Sequence, residues 1–108
     1  MRPRSNIERR KTPRLPTPNG LWVSWEMGEE RITSRVEDFS ALGAFIVSEQ
    51  SPPVGTRLKL LFALPEGQIQ VQAAVRNSLA GRGMGVEFVA MGGREFDIIL
   101  KTVKRLLS

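Results

Sequence analysis

The feature that most restricts this chain is a change of hydrophobic period. Between residues 21 and 88 apolar side chains recur at every second position in short runs, whereas from residue 96 they recur at steps of three and four. The first period belongs to half-buried strands and the second to an amphipathic helix. Leu21, Val23, Trp25 and Met27 share one face of a first strand, with Ser24 and Glu26 on the other. Gly28-Glu29-Glu30 reads as a hairpin turn, and Ile32, Ser34 and Val36 alternate with Thr33, Arg35 and Glu37 in a second strand over 31–37. Residues 38–43 break the pattern before a short buried strand at 44–47. Pro52 and Pro53 mark a loop at 51–55, because neither can donate to a sheet ladder. Leu58, Leu60, Phe62 and Leu64 define a fourth strand. Ile69, Val71, Ala73 and Val75 define a fifth, and Met84, Val86 and Phe88 a sixth, with turns at 65–67 and 81–83. Phe96, Ile99, Leu100, Val103 and Leu107 then form the apolar stripe of a helix at about 93–107. Its acidic residues, Glu95 and Asp97, lie early and its basic ones, Lys101, Lys104 and Arg105, lie late, as the helix dipole favours. The pattern predicts a mainly β fold, a six-stranded antiparallel β-barrel closed at one edge or end by a C-terminal α-helix.

A chain of 108 residues is one domain's worth and can build a core without covalent staples. It contains no Cys, no His and no Tyr. Disulfides, thiolate nucleophiles, imidazole bases and metal sites built from Cys or His are therefore excluded. Carboxylates are plentiful, but no pair is marked out for acid–base work, so no enzyme is expected. No apolar run approaches the roughly 18 residues of a membrane span, and the N-terminus has no apolar stretch of the signal-peptide kind. The expected setting is cytoplasmic.

The net charge of +5 is unevenly placed. Residues 1–14 hold Arg2, Arg4, Arg9, Arg10, Lys11 and Arg14 against Glu8 alone, while residues 15–108 balance ten bases with ten acids. With Ile7 its one large apolar residue, the first segment has too little to bury and reads as a flexible basic arm, 1–14, ahead of a barrel domain, 15–108. Pro16 to Gly20 reads as a turn-rich connector. The basic arm suits either a solubilising tail or a clamp on an anionic partner.

Two local patterns stand out. Arg10-x-x-x-Arg14 lies in the arm, and Asp38-x-Ser40-x-x-Gly43 lies at the junction of two strands. Alone, the second fits a plain turn in which Asp38 bonds nearby backbone N–H groups and Gly43 takes a positive φ. Together, and followed by Ala44-Phe45, by Pro53-x-Gly55-Thr56 and by Gly83-Met84-Gly85-Val86-Glu87-Phe88, they resemble the PilZ domain family along nearly the whole chain. That resemblance implies a six-stranded barrel that binds the bacterial second messenger cyclic di-GMP, with no further cofactor and no metal. It implies Arg10 and Arg14 as motif arginines with Arg9 adjoining, and Asp38, Ser40 and Gly43 as their counterparts. The arm would order on binding and relay the signal to an unidentified downstream protein. Two other readings stand beside it: a PilZ-like adaptor working by protein contacts alone, and a basic-arm barrel that binds nucleic acid. The neutral barrel and its lack of a dense aromatic–basic strand weigh against nucleic acid.

Four further residues and one glycine run are set apart. Arg35 and Arg76 read as solvated surface, with reach to the barrel face of the Asp38 passage as the alternative. Trp25 reads as core, and Trp22 as exposed or packed on the helix, with a stacking role as the alternative. Gly81-x-Gly83-x-Gly85 precedes a strand rather than a helix, so it reads as a hairpin turn and not a phosphate loop.

Overall fold

The computed structural model describes residues 15–108, with side chains from residue 21 onward. The expected arm and with it Arg9, Arg10 and Arg14 lie outside the described residues. Six strands follow: β1 (Leu15–Met27), β2 (Glu30–Phe39), β3 (Gly43–Val47), β4 (Arg57–Leu64), β5 (Gly67–Leu79) and β6 (Gly83–Ala90). Helix α1 (Gly93–Leu107) ends the fold. The strands close into a barrel in the order β1-β2-β3-β6-β5-β4, every neighbouring pair antiparallel. The closing β1–β4 seam is short, Val23 pairing with Phe62 and Ser24 with Leu61.

The predicted alternation is what fills the barrel. Val23, Trp25, Val36, Leu60, Phe62, Ile69, Val71, Ala73, Val75, Met84 and Val86 all point inward and are buried. Phe39, Phe62 and Phe88 meet edge to face or tilted, with ring centroids 5.6–6.0 Å apart. That spacing is the one the aromatic quadrupole favours. Two polar groups sit among them at no cost in lost hydrogen bonds, because Trp25 Nε1 donates to Ser34 Oγ at 3.0 Å.

The structure corrects the sequence reading in two places. Residues 16–20 are not a connector but part of β1, since Leu15 pairs with Phe39 and Pro16 with Asp38. The register then shifts between Pro16 and Leu21, and that irregularity accommodates prolines that cannot serve a regular ladder. The second correction concerns α1. Its buried residues are Ile98, Ile99 and Thr102, while Phe96, Leu100 and Leu107 of the expected stripe are exposed.

Tertiary polar contacts decide which face α1 turns inward. Thr102 Oγ1 lies 3.0 Å from Glu66 Oε1 in the β4–β5 turn and 2.9 Å from the Ile98 carbonyl. Arg105 Nε donates to Glu66 Oε2, and Arg94 Nη2 donates to the Gln68 carbonyl at 3.0 Å. Ile98 packs over Gly67, where an added Cβ would fall 2.9 Å from Ile98 Cδ1. The Arg105 guanidinium holds the Glu66 carboxyl below its ordinary range, against an opposing push from burial.

Strand direction fixes where everything else gathers. The start of β1, the β2–β3 and β4–β5 connections and the link from β6 to α1 all fall at one end of the barrel. The β1–β2, β3–β4 and β5–β6 connections fall at the other.

Candidate functional site

Asp38, Ser40 and Gly43 lie together on the β2–β3 turn, at the same barrel end as α1. The turn is anchored from both sides. Phe39, completely buried in the aromatic cluster, fixes its start, and completely buried Ala44 fixes its end. Between them Ser40 knits the backbone. Its N–H donates to the Gly43 carbonyl at 2.8 Å. Its Oγ accepts from the N–H groups of Leu42 and Gly43 at 3.1 and 3.2 Å. The Leu42 carbonyl then accepts from Phe88 N–H at 2.8 Å, tying the turn to β6.

These contacts tie both Ser40 and Gly43 into the turn itself. Ser40, only 2% exposed, spends its hydroxyl on the turn and positions its neighbours. Ser40 therefore makes side-chain-to-backbone bonds of the kind that a plain turn requires. Gly43 is not among the positive-φ residues. It is required because it pairs with Glu87, where an added Cβ would lie 2.1 Å from the Val86 carbonyl oxygen. Asp38 is the half-buried acid of the set, paired across the sheet with Pro16 on β1 and Phe45 on β3.

The outer wall beside the turn shows why the glycines of β6 are spaced as they are. Gly85 pairs with Phe45. An added Cβ on Gly83 would meet the Ile46 carbonyl oxygen at 2.2 Å and the Phe45 ring at 2.9 Å. Gly85 N–H donates to Asn77 Oδ1 at 2.9 Å, and a Cβ there would strike the same oxygen. Gly81 alone belongs to the turn, at φ 74°. The run is therefore part hairpin and part bare strand. Arg82 crosses Phe45, its Cζ 5.6 Å from the ring centroid, and reaches Glu37 at 3.8 Å.

Arg76 is exposed but engaged, its Nε 2.6 Å from Glu87 Oε1. Glu87 is the residue opposite Gly43, so Arg76 is held on the wall next to the turn. Alternation alone could not distinguish that placement from a solvated arginine. Arg35 is exposed and pairs with Trp22, itself 51% exposed. Trp25 is core at 1% exposure.

Among the described residues no three His, Cys, Asp or Glu side chains gather as metal ligands. None of their helices is long and apolar enough to cross a membrane.

The PilZ domain family model matches residues 8–107. The chain belongs to the PilZ domain family. Solved structures of three proteins resemble it. The Bacillus subtilis inhibitor of motility (MotI/DgrA) gives a TM-score of 0.76 at 26% identity, over 90% of this chain and 52% of that one. The PilZ domain of YcgR from Escherichia coli, with c-di-GMP, gives 0.70 at 15% identity, over 90% and 92%. The PilZ domain of CeSA from a cellulose-synthesizing bacterium gives 0.66 at 19% identity, over 90% and 100%. This PilZ domain thus spans about half the length of the Bacillus chain. No curated protein matches it.

Proposed function

We propose that this PilZ domain is a cyclic di-GMP receptor without catalytic activity, and that it passes the signal to a separate protein in the cytoplasm. The observation that carries the reading is strand register. Leu15 pairs with Phe39 and Pro16 with Asp38, so the segment bearing Arg9, Arg10 and Arg14 joins the barrel beside the Asp38 turn. Arg10 is five residues before Leu15, a reach of at most about 18 Å.

The residue set fits the ligand's chemistry. Cyclic di-GMP presents two phosphates and two guanines. The planar forks of Arg10 and Arg14, with Arg9 adjoining, match phosphate oxygens and the guanine O6/N7 edge in bidentate fashion. Asp38 is the acceptor that the guanine N1/N2 donors need. Ser40 and Gly43 serve by fixing the turn on which Asp38 sits. Three or four charge-assisted bonds at roughly 1.5–3 kcal/mol each, less the cost of ordering the segment, reach the roughly 8 kcal/mol of micromolar binding. The YcgR PilZ domain with c-di-GMP supports this ligand class, and the Bacillus inhibitor of motility supports action on another protein.

Thermal shift compares the candidates directly. Cyclic di-GMP raises Tm, and GMP or a single-stranded oligonucleotide at equal concentration does not. A salt-sensitive shift with any oligonucleotide, and none with cyclic di-GMP, would favour the nucleic-acid-binding barrel instead.

A further inference from the structure

Helix α1 keeps an apolar stripe that the barrel does not use. Phe96, Leu100 and Leu107 are 45%, 42% and 68% exposed, with half-buried Val103 between them. The steps are four, three and four residues, the spacing of a coiled-coil seam. The helix seats on the barrel through Ile98, Ile99 and Thr102. That face lies roughly a third of a turn around the axis from the stripe. Asp97 and Lys104 border the stripe on its solvent side, seven residues apart. Both are exposed, and neither makes an ion pair among the described residues.

We infer that α1 is a homodimer face and that its occupant is the α1 of a second copy, packed antiparallel about a two-fold axis. Such a pair needs a self-complementary surface, and this stripe is one. With the axis between Leu100 and Val103, Phe96 of each copy meets Leu107 of the other, and Leu100 meets Val103. Asp97 of each copy then comes within a turn of Lys104 of the other, so one contact yields two opposite-charge pairs. A parallel pair gives neither charge an opposite. Residues 1–14 are a poor alternative occupant, because Ile7 alone cannot fill the stripe and six cations would face Lys101 and Lys104. One helix pair is a small interface, below the roughly 1,200 Å² of standard complexes, so the dimer is weak and forms at high protein concentration.

Sedimentation equilibrium on the full chain, up to roughly 1 mM protein, tests this. The wild type self-associates to a dimer, and Leu100→Glu is monomeric with unchanged circular dichroism. Asp97→Lys and Lys104→Asp each weaken the dimer by about fivefold or more, since each turns two attractions into repulsions. The double variant recovers affinity to within about threefold of wild type, because the pairs are only exchanged. A wild type monomeric throughout, or a dimer indifferent to Leu100→Glu, would overturn the proposal. So would a double variant no tighter than the single ones.

Discussion

Ser40 and Gly43 show how a motif in a ligand-binding family can be written by packing. The Ser40 hydroxyl is the acceptor for two backbone N–H groups inside a buried turn. Ser40→Ala leaves those donors without their partner and costs about 1–3 kcal/mol, a fall in Tm of roughly 5–20 °C for a domain this size. Gly43→Ala drives a methyl group into the Val86 carbonyl oxygen of β6. A backbone atom cannot move aside as a side chain does, so the cost is at the upper end of overpacking, about 3 kcal/mol or more. Both losses appear in thermal melts of the ligand-free protein. Asp38→Ala behaves differently. It keeps the barrel's circular dichroism and loses at least about tenfold in cyclic di-GMP affinity, read by calorimetric titration. The sequence pattern singles out these three residues, but it does not show that Ser40 and Gly43 are also tied into the turn by hydrogen bonding and close packing. That packing depends on a serine bonding forward along its own turn and on the close approach of β6, a strand more than forty residues further along the chain.

At the scale of elements, legibility follows the number of partners a face has. Strand β4 and the first half of β5 turn alternate residues into a single barrel interior, so alternation marked Ile69, Val71, Ala73 and Val75 correctly. Helix α1 offers a wide apolar arc of which only part meets the barrel. Which part is set by Thr102 and Arg105 docking on Glu66, a pairing across more than thirty residues that no helical period contains. The start of β1 was hidden for another reason, since its prolines are strand breakers except at an irregular register. The Glu66 contact also makes a pH prediction. Its carboxyl is held below the ordinary range by the Arg105 hydrogen bond first, with Thr102 assisting. A carboxyl lowered in the folded state contributes stability that is complete above its unfolded value, roughly 4.3, and is lost as pH falls through the lower folded value. Glu66→Gln is therefore less stable than wild type at neutral pH, by about 1 kcal/mol given the half-exposed arginine. The two converge in acid well below the carboxylate range, as denaturant titrations at both pH values will show.

The molecule as a whole separates charge from scaffold. Residues 15–108 carry ten bases and ten acids, and the net +5 belongs to residues 1–14. The closed barrel puts the chain's junction with that basic segment at the end where the Asp38 turn and α1 also lie. A dianionic dinucleotide binding there would join the two, which is the central claim. Isothermal titration of the full chain with cyclic di-GMP tests it most directly, with Arg10→Ala measured alongside. The wild type binds saturably in the micromolar range, and the variant binds at least about tenfold more weakly. No heat at high micromolar ligand, or equal affinity in the two proteins, would contradict it.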